Sequence, residues 1–140
     1  MFVSVLSKDK NSMQLPQCIV IVDDEQSIRS GLSNLLQSEG YSTLTFESAE
    51  ALLDNETAMA KAALFIIDVE LKGISGFQLF SQLTRRLENP PGIIISGKSD
   101  EHMLWYAISL GALAFMPKPI DIEALFSHIQ TKLCLRDKQL

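Results

Sequence analysis

In this 140-residue chain, four charged side chains occur in the same context: each follows an apolar run that is long enough to form a buried strand. They are Asp23, Asp24, Asp68 and Lys118. Apolar runs of this kind, bounded by charge and separated by helix-like stretches, are typical of parallel strands covered on both faces. Because the carboxyl ends of parallel strands meet at one edge of a sheet, we expect an acidic site there with a single lysine.

Three carboxylates in one site repel each other, and the repulsion reaches several kcal/mol at an intermediate effective dielectric constant. If the first and third strands are neighbours, the repulsion acts among Asp23, Asp24 and Asp68, and a positive charge must lie between them. Oxygen ligands without histidine or cysteine favour a hard cation, and room for water and a phosphoryl oxygen favours Mg²⁺ over Ca²⁺ or Zn²⁺. The sequence therefore predicts a Mg²⁺ site, with Asp23 and Asp24 as a metal-holding pair.

The same groups are suited to phosphoryl transfer onto a carboxylate. Asp68 stands alone at the end of the central apolar strand and is our candidate nucleophile, which would form an aspartyl phosphate. Lys118 supplies a mobile positive charge, and the Ser96 hydroxyl, just past the fourth strand, supplies a donor for a phosphoryl oxygen. The sequence contains no Walker loop, dinucleotide-binding glycine turn or plausible serine-histidine-aspartate set, so nucleotide binding and acyl transfer lack support.

Alternating strands and helices must hold these side chains in place. The predicted strands cover residues 18–22, 42–46, 64–67, 93–95 and 113–116. Five stretches with apolar residues on one helical face predict helices between and after the strands. The signals that bound these helices are Gly40, Ser48, the run Asn89-Pro90-Pro91, Ser99 or Asp100, Gly111 and Asp121. The first helix is expected to bury Ile28, Leu32, Leu35 and Leu36.

This alternation predicts an α/β fold: a doubly wound, five-stranded parallel sheet with five helices on its two faces and a crevice where the strand order reverses. We expect one domain over residues 18–135, since the chain is long enough for one core and has no internal repeat or linker. Residues 1–17 lack a sustained period and predict a flexible leader, and residues 136–140 would form a tail.

Composition and charge limit the classes of partner. The formal net charge of −5 and the pI near 4.9 provide no basic field, so we expect this chain itself to bind no nucleic acid. No signal peptide and no apolar stretch long enough to span a bilayer are found, which predicts a cytoplasmic protein without membrane contact. Cys18 and Cys134 are not spaced for a metal site and are expected to be buried, reduced thiols.

Several short motifs occur together in one order along the predicted domain. They are Val22-Asp23-Asp24-Glu25, Asp68 followed by Gly73-Ile74-Ser75-Gly76, Ile95-Ser96-Gly97, and Gly111-Ala112 leading into Phe115-Met116-Pro117-Lys118-Pro119. As a set, in their order and spacing, these motifs resemble the receiver domain of two-component response regulators. The resemblance implies a flavodoxin-like sheet with strand order 2-1-3-4-5. Two segments are most similar to regulators that usually carry a helix-turn-helix output domain: residues 48–51 and 73–76.

The resemblance assigns roles to the acidic residues. It implies that Asp68 accepts a phosphoryl group, and that Asp24, Asp68 and the main-chain carbonyl of Glu70 bind Mg²⁺. Asp23 would assist through water. Glu70 and Lys98 would occupy positions that tune dephosphorylation in this family.

The resemblance also assigns the remaining site residues. Ser96 and Phe115 would be the family's switch pair, in which the hydroxyl moves toward the phosphoryl group and the aromatic ring turns inward behind it. Lys118 would contact a phosphoryl oxygen, and its peptide bond to Pro119 would be cis.

Partners follow from the same resemblance. A histidine kinase or a phosphotransfer protein would supply the phosphoryl group. An output domain or effector protein would bind the face formed by the fourth helix, the fifth strand and the fifth helix, and a phosphorylation-dependent dimer is compatible with this organisation. Trp105 and Tyr106, on the fourth helix, would either pack inward or form an exposed patch of that face.

Two other functions fit the same residues. A Mg²⁺-dependent hydrolase that passes through an aspartyl phosphate would need a second acid two residues beyond Asp68, and Glu70 occupies that place. A scaffold with a receiver-like fold would bind partners without being phosphorylated. The chain also departs from many relatives after the acceptor, where Leu71-Lys72 replaces Met-Pro, so we expect the loop and the lifetime of the phosphate to differ.

Overall fold

The computed structural model describes residues 16–98 and 100–133 and contains a five-stranded sheet. The strands are β1 Cys18–Val22, β2 Ser42–Phe46, β3 Ala62–Asp68, β4 Gly92–Ser96 and β5 Ala114–Pro117. Their order is β2-β1-β3-β4-β5, and every neighbouring pair is parallel. The predicted fold class and strand order are therefore confirmed.

Within the described residues the sheet is accompanied by six helices: α1 Gln26–Ser38, α2 Ala49–Leu53, α3 Glu56–Lys61, α4 Gly76–Arg86, α5 Glu101–Ser109 and α6 Ile122–Leu133. Five were predicted, and the difference arises because the second predicted helix is divided into α2 and α3. Asp54 ends α2, and the side chain of Asn55 accepts a hydrogen bond from the Ala58 amide at 3.0 Å to start α3. An asparagine N-cap inside the segment thus interrupts its helical pattern.

Other helix boundaries follow the predicted signals. The Ser48 side chain accepts a hydrogen bond from the Ala51 amide at 3.1 Å, and the Asp100 side chain accepts one from the Met103 amide at 2.9 Å. Each cap satisfies an amide that has no partner within its helix and contributes about 1 kcal/mol. Beyond the end of α1, Gly40 has a φ of 96°, a left-handed conformation that glycine adopts without strain.

Side chains that alternate along each strand enter two separate apolar layers. In β1, Ile19 and Ile21 face the layer that contains α1 and α6, whereas Val20 and Val22 face the layer that contains α2 to α5. All four side chains are shielded from solvent, and full burial of such a side chain contributes roughly 1.5 to 3 kcal/mol. Because the sheet is covered on both faces, its strand ends are held in place, and those ends carry the predicted site.

Two apolar positions differ from the prediction. Leu35 was expected on the buried face of α1, but it is 39% exposed, while Leu32 and Leu36 are buried. Leu35 lies at an open groove between α1 and the segment after β5, so the apolar stripe of α1 is wider than its contact with the sheet. The fifth strand begins at Ala114 rather than at Leu113, which is 36% exposed.

Some predictions concern residues outside the described part of the chain. They include the tail at residues 136–140, all but the last two residues of the leader at residues 1–17, and the thiol of Cys134. Cys18 is a buried free thiol, as predicted. Among the described helices, none combines the length and the apolar character needed to cross a bilayer.

Candidate functional site

The ends of four strands bring the predicted side chains to one edge of the sheet. Asp23 follows β1, and Asp68 is the last residue of β3. Ser96 ends β4, and Lys118 follows β5 directly. The register pairs Asp68 with Ile95, one residue before Ser96, so the acceptor candidate and the hydroxyl lie on neighbouring strand ends. The side chains that the sequence predicted to meet are therefore brought together.

The three predicted acidic ligands form a compact cluster. One carboxylate oxygen from each of Asp23, Asp24 and Asp68 lies within 4.8 Å of the others. Asp23 is fully buried, Asp68 is 1% exposed, and Asp24 is half-buried. The Oδ2 atom of Asp23 accepts no hydrogen bond from the described residues, which leaves a buried anionic oxygen incompletely satisfied. Such a set of oxygen ligands fits a hard divalent cation.

The ammonium group of Lys118 enters this cluster from the segment after β5. Its Nζ atom lies 3.2 Å from Asp23 Oδ2, 3.3 Å from Asp68 Oδ1 and 3.2 Å from Glu25 Oε1. The contact with Asp23 is an ion pair rather than a directed hydrogen bond. The Lys118–Pro119 peptide bond is cis, as the resemblance implied. Sequence reasoning gave Glu25 no role, although its place directly after two site acids was an available signal.

The carboxylates outnumber the ammonium group, and the pKa values reflect this imbalance. The pKa of Asp68 is raised to about 6. Burial is the largest cause, the charge of Asp23 adds to the increase, and Lys118 offsets part of it. Burial also raises the pKa of Asp23, against the opposing effects of the Glu25 amide and Lys118. Burial alone would lower the pKa of Lys118, but its contacts with Asp23 and Asp68 outweigh burial and raise it. The cluster therefore has more negative charge than its one ammonium group can neutralise.

On the β4 side of the site, the Glu70 side chain accepts two hydrogen bonds that the sequence did not predict. The Ser96 hydroxyl donates to Glu70 Oε2 at 2.6 Å, and the Gly97 amide donates to Glu70 Oε1 at 2.9 Å. The Ser96 oxygen accepts from the Lys98 amide at 3.0 Å. The sequence predicted a metal-binding main-chain carbonyl for Glu70, a position that tunes dephosphorylation and, in the hydrolase alternative, a general acid, but it did not predict these hydrogen bonds. The signal for the side chain was its position two residues beyond Asp68.

Phe115 lies half-buried on β5 and stacks on a second ring, Phe77 in the first turn of α4. The two ring centroids are 6.5 Å apart, with 16° between the ring planes. Phe77 also meets Tyr106 of α5 edge to face, at 4.8 Å and 75°. Tyr106 is 50% exposed and its neighbour Trp105 is 64% exposed, so Tyr106 both packs against Phe77 and belongs to an exposed patch. Phe77, which the sequence did not single out, connects the predicted switch residue to that patch.

Local hydrogen bonds and a close backbone approach position the segment after Asp68. The Ser75 side chain accepts from the Gln78 amide at 3.1 Å, and the Gln78 side chain accepts from the Ser75 amide at 2.9 Å. This capping box starts α4 and satisfies two amides at once. A Cβ atom at Gly76 would overlap the carbonyl oxygen of Asp68, so only glycine lets α4 begin this close to the strand end.

Comparison with curated proteins finds relatives named as regulators. The response regulator protein TmoT of Ectopseudomonas mendocina is 36% identical over 121 residues, which cover 86% of this chain and 54% of that protein. The transcriptional regulatory protein FixJ of Azorhizobium caulinodans is 31% identical over 113 residues, which cover 81% of this chain and 53% of that protein. The chain thus spans about half the length of the curated relatives that it matches.

Solved structures and a family model give the same result. The response regulator StyR is 33% identical, with a TM-score of 0.76, over 87% of this chain and 61% of that one. A BeF3-activated DrrB receiver domain has a TM-score of 0.77 at 24% identity, over 84% of this chain and 97% of that one, and shows the shared fold. The family model described as the response regulator receiver domain matches residues 19–130. The chain therefore belongs to the response regulator receiver domains, the signalling modules of two-component systems.

Proposed function

We propose that this receiver domain, at residues 18–135, accepts a phosphoryl group on Asp68 and passes the change to a partner as a signal. The observation that carries the proposal is the setting of Asp68. Its carboxylate ends the central strand with almost no exposure, clusters with Asp23 and Asp24, and lies 3.3 Å from the Lys118 ammonium group. Phosphoryl transfer depends mainly on positioning and charge compensation, and this setting contributes to both.

Mg²⁺ is the cation that we assign to the acidic cluster. Asp24, Asp68 and the main-chain carbonyl of Glu70 would hold it, with Asp23 assisting through water. When bound, the ion supplies positive charge beside the acceptor and reduces the repulsion that an incoming phosphoryl group meets. Two observations support this assignment: Asp23, Glu25 and Asp68 share a single ammonium group, and the pKa of Asp68 remains raised, so the cluster has more negative than positive charge.

In the transfer step, a carboxylate oxygen of Asp68 forms a bond to phosphorus while the P–N bond of a phosphohistidine breaks. The electron pair of that bond stays on the ring nitrogen, and because the other ring nitrogen carries a proton, neutral histidine leaves. Lys118 contacts one phosphoryl oxygen and the Ser96 hydroxyl donates to another. Attack by water later breaks the P–O bond to Asp68, which regenerates the carboxylate and releases inorganic phosphate.

Ser96 and Phe115 would convert this chemistry into a change of surface. Movement of the hydroxyl toward the phosphoryl group leaves space behind it for the ring of Phe115, and the ring's contact with Phe77 couples that movement to α4. A two-state equilibrium biased in this way can be recognised at the face formed by α5, β5 and α6, which is the predicted face in the present numbering. The exposed patch of Trp105 and Tyr106 lies on that face.

The partners follow from this role. A cytoplasmic histidine kinase or phosphotransfer protein would donate the phosphoryl group, and an output domain or effector would bind the α5-β5-α6 face, where a phosphorylation-dependent dimer could also form. The relatives named as transcriptional regulatory proteins, which are about twice as long as the matched region, support an output in gene regulation. The net charge of −5 supports the view that this chain itself does not hold nucleic acid.

The experiment that tests the proposal follows intact mass over time after the protein is mixed with Mg²⁺ and acetyl phosphate. We expect a single phosphoryl adduct that decays slowly, that is absent from Asp68→Asn, and that fails to form when EDTA replaces Mg²⁺. Glu88→Gln removes an exposed negative charge from the loop that enters β4, at the opposite end of that strand from Ser96; it is the matched control and should form the adduct normally.

The same experiment addresses the two alternative functions. Continuous release of phosphate from many phosphate esters would indicate the hydrolase instead. The structure gives that function little support, because the Glu70 carboxylate is engaged by Ser96 and Gly97 rather than free to act as a general acid. Absence of an adduct with every donor would indicate the unphosphorylated scaffold.

A further inference from the structure

The carboxylate of Glu70 occupies two hydrogen-bond donors beside the proposed acceptor. Its Oε2 atom accepts from the Ser96 hydroxyl at 2.6 Å, and its Oε1 atom accepts from the Gly97 amide at 2.9 Å. A hydroxyl-to-carboxylate distance of 2.6 Å is that of a charge-assisted hydrogen bond, which is roughly twice as strong as a neutral one. Each carboxylate oxygen of Glu70 therefore accepts a hydrogen bond from one of the two donors.

Neither donor can serve a second acceptor while Glu70 holds it. The Ser96 hydroxyl and the Gly97 amide each carry one hydrogen. Ser96 is fully buried, and its oxygen also accepts from the Lys98 amide at 3.0 Å, which leaves its hydrogen directed at Glu70. A phosphoryl oxygen on Asp68 could receive these two hydrogen bonds only after the Glu70 carboxylate has left.

Charge acts in the same direction. Glu70 is close enough to Asp68 that its charge contributes to the raised pKa of Asp68, after burial and Asp23. Phosphorylation replaces the single negative charge of the Asp68 carboxylate with about two on the phosphoryl oxygens, so about one negative charge is added next to Glu70. The Glu70 side chain is half-buried, so it has a route toward solvent. Like-charge repulsion thus favours its departure when the phosphoryl group arrives.

We propose that the Glu70 carboxylate is an internal substitute for the phosphoryl group, which holds Ser96 and Gly97 in the unphosphorylated protein and leaves them when Asp68 is phosphorylated. This inference rests on the proposed function, because it takes Asp68 as the acceptor. It makes Glu70 a positioning residue that acts on the site by competition and not by contact with the reacting atoms. If the form bridged by Glu70 exceeds the open form about ten to one, the apparent affinity for a phosphoryl analogue falls about ten-fold.

The first test measures binding of beryllofluoride, in excess Mg²⁺, by titration calorimetry. Removal of the competitor in Glu70→Ala should tighten binding about ten-fold. Glu70→Gln keeps the size of the side chain and one acceptor oxygen but loses the charge, so its affinity should lie between those of the wild type and Glu70→Ala. Glu88→Ala makes the same change of charge at an exposed loop position and should bind as the wild type does.

The second test needs no ligand and reports on the bridge itself. Hydrogen exchange of the Gly97 amide, followed by NMR, should be about ten-fold faster in Glu70→Ala than in the wild type, because the amide loses its partner. The Glu88→Ala control should leave that rate unchanged. On addition of beryllofluoride and Mg²⁺ to the wild type, the side-chain carboxyl resonance of Glu70 should shift as it gives up both hydrogen bonds.

The possible results separate this inference from the function on which it rests. If the wild type binds beryllofluoride and Asp68→Asn does not, but Glu70→Ala binds no more tightly than the wild type, the competition by Glu70 is overturned while the acceptor role stands. An unchanged Gly97 exchange rate in Glu70→Ala would overturn the bridge directly. If no variant and no wild-type sample binds the analogue, the acceptor role fails, and Gly97 exchange still decides whether Glu70 holds the loop.

Discussion

The two halves of the site differ in how far their polar groups are satisfied: the acidic half contains Asp23, Asp68 and Lys118, and the hydroxyl half contains Glu70, Ser96 and Gly97. At the ends of β1 and β3, Asp23 and Asp68 share one ammonium group, and the pKa values of both acids remain raised. At the end of β4, the carboxylate of Glu70 is matched atom for atom by the Ser96 hydroxyl and the Gly97 amide. The acidic half therefore lacks positive charge, whereas the hydroxyl half is complete in its own hydrogen bonds.

Because of this difference, the two halves of the pocket should respond differently to a ligand. A shortage of positive charge makes the acidic half responsive to a cation, because any cation that binds there relieves existing repulsion. A complete set of hydrogen bonds makes the hydroxyl half resistant, because a new acceptor must replace an existing one. Substitutions confined to one half at a time should therefore have different effects.

The largest effect should follow from removal of the ammonium group in Lys118→Met. Asp23 and Asp68 would be left buried without their cation, so we expect the free energy of unfolding in EDTA at pH 8 to fall by about 3 to 5 kcal/mol. Urea denaturation measures the change, and Lys72→Met, at an exposed lysine of the neighbouring loop, is the control. A loss below about 1 kcal/mol would show that the acidic half does not depend on this charge.

A smaller effect of opposite sign is expected for Asp68→Asn. Folding raises the pKa of Asp68 from 3.8 to about 6, so the folded state favours the neutral acid. That contribution is fully present below pH 3.8 and is lost as the pH rises through 6. The variant should therefore be more stable than the wild type by about 2 to 3 kcal/mol above this range in metal-free buffer.

The measurement for Asp68→Asn is the difference in unfolding free energy between the variant and the wild type across this pH range, in EDTA. The difference should open between about pH 4 and pH 6 and then remain constant. Glu88→Gln removes an exposed carboxylate and should show no such opening. A variant less stable than the wild type at pH 8 would mean that Lys118 neutralises Asp68 completely.

The smallest effect should come from the hydroxyl half, in Ser96→Ala. Glu70 keeps the Gly97 amide and its side chain is half-buried, so water can replace the lost hydroxyl. We expect a loss of about 1 kcal/mol in urea denaturation, and a smaller one for Ser30→Ala on the exposed side of α1. A loss as large as that of Lys118→Met would contradict the contrast between the two halves.

The sequence predicted the backbone of the fold well, because strand ends are marked by abrupt changes in polarity. Asp23 and Asp68 lie at the ends of strands that are buried on both sheet faces. Parallel pairing brings the carboxyl ends of these strands together, independently of the loop conformations. The division of the second helix was harder to predict, since the signal is a single residue, Asn55, inside a pattern that is otherwise helical.

Side-chain contacts within the site were less predictable. The backbone direction after Asp68 depends on the tight approach at Gly76 and the capping box of α4, and this direction determines where the Glu70 side chain points. Sequence spacing alone could place Glu70 near the site but could not distinguish its carbonyl from its carboxylate. Phe77 likewise resembles an ordinary core residue until α4 is placed against β5.

The edge-to-face contact between Phe77 and Tyr106 has a practical consequence. Trp105, the single tryptophan of the chain, is the residue before Tyr106 and is largely exposed on the same helix. Its indole is sensitive to the polarity of its surroundings, and its emission can be excited separately from that of the tyrosines. The protein thus carries an intrinsic fluorophore one residue from the ring that contacts Phe77, and rearrangement of this helix can be followed optically without a label.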